Sequence, residues 1–269
     1  MNPAPGEPRR WPQGDQIMNN EAKSHLPSLK SESADYVTSA VKALVSAVPF
    51  AGSLLAEIAG TIIPNQRIER LTKYAQELEE RLSKLDQDFV RAQLSNENFT
   101  DFFEENIRQA ARSLTDERRK YLASAIANGL SSEDIEFFES KHLLRILGEI
   151  NDAEVIILRS YLVATIGGDN EFLEKHKEII MPVPATIGAS QKVLDKSALH
   201  KSYKEHLTFL GLLEWQYQTD TRTKGMVIDT FTGGPKIQGY RITSLGRLLL
   251  RHIGLANAKG QPVNQGDGE

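Results

Sequence analysis

The chain has no cysteine, so disulfide bracing and thiolate catalysis are excluded. It also contains no G-x-x-x-x-G-K-[ST] phosphate loop, no G-x-G-x-x-G turn and no G-x-S-x-G nucleophile elbow. The histidines, His25, His142, His176, His200, His206 and His252, are scattered and never form H-E-x-x-H. His200 and His206 are six apart on one predicted helix, a spacing that does not share a face. Glu104, Glu105, Glu133 and Asp134 fall at predicted helix starts, where the positive end of the helix dipole accounts for them without catalysis. No catalytic residue, metal or cofactor is therefore expected. No apolar run follows Arg9 and Arg10, which lead into "WPQGD". A secretory signal is thus not read, and a cytoplasmic bacterial protein is the expectation, with inner-membrane association as the alternative. Met18 is an alternative start to Met1.

What is present is an ordinary globular composition, 40% hydrophobic and 25% charged, in 269 residues, enough for two domains with cores. Residues 1–33 are rich in Pro, Ser, Asn and charge without periodicity, and disorder is expected there. Tyr36, Val37, Val41, Leu44, Val45 and Val48 outline a helix ending before Pro49. Residues 43–63 are then mostly apolar, and Gly52, Ala56 and Gly60 form a small-residue stripe of the kind that lets helices approach closely in lipid. A buried helical hairpin is preferred over a membrane-entering one, because Pro49 divides the run and Glu57 sits inside it.

Pro64 and Asn65 open a long predicted helix. Ile68, Leu71, Ala75, Leu78, Leu82, Leu85, Phe89 and Ala92 alternate three and four apart, an a/d seam over more than three heptads. It suits a homo-oligomeric coiled coil or a helix packed inside its own bundle, the latter preferred. Further helices are predicted over 101–113 with a Thr100 cap, over 116–128 with a Thr115 cap, from Ser131 or Ser132 to Ile150, and from the capping box Asn151–Glu154 to Gly167–Gly168. Residues 172–180 offer one more short helix.

The stretch 194–253 reads as a winged helix. Leu199, Tyr203, Leu207 and Leu210 share a helix stripe that ends at Gly211. Leu213, Trp215 and Tyr217 then alternate with polar residues as a strand, to be paired by a second one containing Tyr240 and Ile242. The 220–239 connection is long for a hairpin, so an extra strand is expected over 226–231. Thr243 should cap a last helix with Leu245, Leu248, Leu249 and Ile253 on one face, stopped by Gly254. The tail beyond Asn257 should be mobile. From 185 to 260 eleven basic residues oppose five acidic ones, giving +6 against −4 for the whole chain and hence −10 for the rest. A basic module on an acidic body suits phosphate contact. Lys196, Lys201 and Lys204 on the recognition helix and Arg222, Lys224 and Lys236 on the wing are the candidate contacts, with Lys201 and Lys204 facing the groove. The helix lacks the Arg, Asn and Gln that most often read base edges, so weak sequence specificity is expected. A solvated basic face on a protein-contact domain is the alternative.

The order of parts, with "VPFAGSLLAEIAGTIIP", "RRKYLASAIANGL", "LLRILGEINDAEVIILRSY" and the ending "HLTFLGLLEW…YRITSLGRLLLRHIG", resembles bacterial abortive-infection alpha proteins associated with phage resistance. The resemblance implies a role in phage defence and carries over no functional residue. The expected architecture is mostly α: disordered 1–33, a helical domain over 34–150 with the long heptad helix, a winged-helix domain over 151–256 and a mobile tail over 257–269. The expected function is non-enzymatic binding of nucleic acid or a protein partner through the winged domain. A membrane-perturbing defence effector acting through 43–63 is the rival.

Overall fold

A computed structural model describes residues 50–53, 55, 68–132, 135–163, 169–181, 186–230 and 233–263. The expected disordered segment 1–33, the helix around Tyr36–Val48, and Ala56 and Gly60 of the small-residue stripe lie outside them. The described chain is mostly α-helical with one two-stranded antiparallel sheet.

Helix α1 (Ile68–Leu82) follows the heptad pattern, and Leu71, Ala75, Leu78 and Leu82 are all buried. They face α3 (Glu97–Arg112) and α4 (Asp116–Ser131) of the same chain. These seam residues are thus packed inside the protein's own bundle. The expected long helix also stops at Leu82. Asp86 accepts hydrogen bonds from Asp88 and Phe89 N–H at 2.9 and 3.0 Å and starts a separate short helix, α2 (Gln87–Ala92). A capping carboxylate satisfies N–H groups that have no intrahelical partner. Here it outweighs the hydrophobic period, and Phe89 is left 47% exposed. A 3₁₀ turn follows α2.

Asn96, not Thr100, caps α3; the Thr100 hydroxyl donates backward to Asn96 and Leu94 carbonyls. The buried face of α3 carries Phe99, Phe102, Phe103 and Ile107, and each such side chain contributes about 1.5–3 kcal/mol on burial. Thr115 caps α4 as predicted. The helix continues past the expected stop at Gly129, because that glycine is buried against the Phe102 ring. Helix α5 (Phe137–Glu149) is capped by a Glu136–Glu139 box in place of Ser131 or Ser132. The Asn151–Glu154 box does open α6 (Asp152–Ser160), which ends earlier than expected. Arg118 locks this corner: it pairs with Asp152 at 2.6 Å and donates to the Leu147 and Ile150 carbonyls, both at 2.9 Å.

Two short helices, α7 (Asn170–Lys175) and α8 (Lys177–Ile180), stand where one was predicted over 172–180. Then come α9 (Gln191–Phe209), strands β1 (Leu213–Tyr217) and β2 (Ile237–Ile242), and α10 (Ser244–His252). Helix α10 packs on α4 and α5, and Asn128 donates to its Arg251 and His252 carbonyls. The buried residues accordingly form a single cluster from Phe50 to Ala256, across the expected boundary at 150/151. Residues 257–263 of the tail expected to be mobile are held by hydrogen bonds, and 264–269 lie outside the described residues. Asn257 accepts from the N–H groups of Lys259 and Gln261, Gly260 is buried, and the Val263 carbonyl takes a hydrogen bond from Arg159.

Candidate nucleic-acid interface

The C-terminal helix–hairpin–helix unit is anchored at one end and free at the other. At its base, Gly211 with φ +73° turns the chain out of α9, and Leu212, Leu213 and Ile242 are buried. Positive φ is the conformation a helix terminus asks of glycine. The expected second strand with Tyr240 and Ile242 is present, and the register sets Leu213 opposite Ile242 and Trp215 opposite Tyr240. Thr243 caps α10 through Gly246 N–H and donates its own hydroxyl to the Gly211 carbonyl. Outward from this base the hairpin loses cover: Trp215, Met226, Ile228 and Ile237 are exposed large hydrophobics.

The connection between the strands is not loose. Met226 bridges Thr219, and Ile228 bridges Pro235, which gives a ladder fragment where an extra strand was expected. Residues 220–225 then form a tight turn. The Asp220 carboxylate accepts from the N–H groups of Arg222 and Thr223 at 2.8 Å each, and the Asp220 carbonyl accepts from Lys224 N–H. Those N–H bonds, Thr223 first and then Arg222, hold the Asp220 carboxyl below its ordinary range. Lys224 has φ +57°, a left-handed conformation uncommon for a non-glycine residue. Arg222 and Lys224 are thereby displayed, exposed, at the apex of a pre-ordered turn, with Lys236 exposed beside β2. None of the three has an ion-pair partner among the described residues. Sequence reasoning overlooked Asp220, although Asp followed by Gly225 five residues later is turn chemistry that could have marked it.

Helix α9 is arranged differently from its expected role. Of the predicted inner stripe, Leu207 is buried and Tyr203 and Leu210 are half-buried, whereas Leu199 is 55% exposed. Lys204 turns inward, with its ammonium 5.7 Å from the Tyr240 ring centre, and desolvation lowers its pKa. It is half-buried beside the hairpin, in contrast to the exposed position expected for it. Lys201 is exposed and paired with Glu205 at 3.6 Å. Lys196 is exposed, as is Lys192 one turn before it, and neither has an ion-pair partner among the described residues. The helix is positioned against α6 by His206, whose Nδ1 lies 2.7 Å from the buried Glu154 carboxylate. Below it, buried Arg159 pairs with Asp169 at 3.1 Å and stacks 3.7 Å from the Phe172 ring centre.

The structure therefore brings Arg222 and Lys224 together with each other at the turn and sets Lys204 apart from them. At the other end of the chain, Gly52 lies buried among Phe50, Ala51 and Leu55, and Ala51 N–H donates to Glu79. This described part of the apolar run packs into the bundle. Among the described residues no helix is long and apolar enough to cross a membrane, and no three His, Asp or Glu side chains group as for a metal ion. A cleft of about 580 Å³ between α3, α5 and α6 is floored by the Arg118–Asp152 clamp, whose groups are occupied with each other. No protein family, curated protein or solved structure matches the chain.

Proposed function

We propose that the C-terminal unit is a winged-helix module that binds nucleic acid by its phosphate backbone, led by the hairpin, while the helical body holds it and performs no catalysis. The observation that carries this reading is the Asp220-ordered turn with Arg222 and Lys224 at its apex. A turn whose backbone is ordered before binding loses little main-chain freedom on contact, and unpaired cations give up no competing partner. Lys204 is turned toward Tyr240, and the exposed Lys192, Lys196 and Lys201 of α9 supply charge without the Arg, Asn or Gln that most often read base edges, so the contact is with phosphates and sequence preference is weak. An order of parts that resembles that of abortive-infection alpha proteins is what motivates setting this activity in phage defence.

The test is a duplex-binding titration over a range of salt. Arg222→Ala, Lys224→Ala and Lys236→Ala together should lower the slope of log K against log salt by about 2.7, roughly 0.9 for each phosphate no longer neutralised. Absence of any salt-dependent binding by the unaltered protein at about 50 mM salt would sink the proposal. A second reading, contact with a protein, is favoured by a separate observation: the outward side of α9 is partly apolar, with Phe209 87% exposed.

A further inference from the structure

Helix α9 is 19 residues long, yet only Leu207 on it is buried. Its outward stripe, at spacings of four, three, four and four, is Leu194, Ala198, Lys201, Glu205 and Phe209, all exposed. The stripe has an internal symmetry. Lys201 and Glu205 are related by a point at residue 203, with Ser202 beside it and a large apolar residue, Leu194 or Phe209, farther out on each side. We infer that this face is a two-fold contact between two copies of the chain, with the α9 helices antiparallel.

The argument is one of complementarity. A symmetric dimer uses the same patch twice, so each group must find its match within that patch. With the axis passing between residues 201 and 205, Lys201 meets the partner's Glu205 and Glu205 meets the partner's Lys201. Phe209 then comes within one helical turn of the partner's Leu194 and Ala198, where the small Ala198 leaves room for its ring. An unrelated partner would need an unlike patch of its own; a second copy already carries the matching one. Within the helix, the 3.6 Å pair of Lys201 and Glu205 has lysine on the N-terminal side, the weaker orientation at this spacing. Little stability is given up when both turn to a partner. One helix face is small beside the roughly 800 Å² per partner of a standard interface, so the dimer should be weak, with Kd about 10 µM. The inference is independent of whether the hairpin binds nucleic acid.

Sedimentation of the full chain at about 5–200 µM tests it, that range bracketing the Kd expected for so small an interface. Wild type should pass from monomer to dimer across this range. Lys201→Glu alone and Glu205→Lys alone should each weaken the dimer by at least about tenfold, because like charges then face across the axis. An equimolar mixture of these two variants should regain dimers that are heterodimers, recognisable by a mass tag on one. Phe209→Asp should also be monomeric with an unchanged helical circular-dichroism spectrum, since Phe209 is exposed in the monomer. A wild type that stays monomeric at the top concentration, or a dimer indifferent to both charge reversals, would overturn the inference.

Discussion

Replacing Gly246 by alanine should destabilise the protein even though alanine is the better helix former. Gly246 lies within the first turn of α10 and is buried. A β-carbon there would sit 2.9 Å from Ile242 Cγ1 and 3.3 Å from the Leu212 carbonyl carbon, and it would press hardest on the Leu212 oxygen. That oxygen accepts from Thr243 N–H at 3.1 Å, and its peptide opens β1. The obstruction is therefore backbone at the base of the hairpin, which no side-chain rotation relieves. Helix propensity alone would favour alanine by about 1 kcal/mol. Overpacking against a fixed neighbour costs about 1–3 kcal/mol and often more where backbone must move. With the closest approach made to a carbonyl oxygen, the upper part of that range applies, leaving a net loss of about 2 kcal/mol. For a chain of this size that lowers Tm by about 4–8 °C. Gly148→Ala is the control. It is exposed in α5, and its new methyl would meet only the end of the flexible Gln109 side chain. It should raise Tm or leave it unchanged. Thermal unfolding followed by helical circular dichroism reads both variants, and a rise in Tm for Gly246→Ala would refute the packing of α10 against the hairpin base.

Two further outcomes follow from buried polar groups. Asn106 is buried, accepts from the Tyr74 hydroxyl at 2.8 Å and donates to the Leu122 carbonyl at 2.9 Å, joining α1, α3 and α4. Asn106→Ala leaves the buried Tyr74 hydroxyl without its acceptor and the Leu122 carbonyl with only its helical bond, and should cost about 2 kcal/mol in urea unfolding; a loss below about 1 kcal/mol would contradict this bonding. Burial pushes the His252 imidazole down from 6.5 to about 4, so the folded state keeps it neutral while the unfolded chain protonates. Its contribution is complete above pH 6.5 and declines as pH falls toward 4, by about 3 kcal/mol in total. His252→Leu should flatten the stability profile in that window, and an unchanged profile would show that another group titrates.

Much of the architecture was written locally. Thr115, the Asn151–Glu154 box, Gly211, Thr243 and Gly254 each act within a few residues of themselves, so their caps and stops are legible before any folding. The pairing of β1 with a strand holding Tyr240 and Ile242 follows from alternation, whereas the register, with its irregularity between Gln216 and Tyr217, was set by the fold. A hydrophobic period, in contrast, says that a face is covered without saying by what. The α1 seam could have met a second copy, and only the tertiary arrangement assigned it to α3 and α4. The same limit applies to charge. Counting lysines on α9 could not tell that Lys204 would lie under the hairpin against Tyr240, far beyond the end of its own helix. Nor could it show that the outward stripe would hold Leu194, Lys201, Glu205 and Phe209. Helix phase is local, but which phase faces solvent depends on where α6 and the hairpin dock. The sequence by itself therefore determined helices, caps, the hairpin and the +6 charge of the C-terminal unit, while the tertiary structure alone decided which of those charges face outward. Burial is a property of neighbours, and neighbours distant in the chain leave no mark in a local pattern.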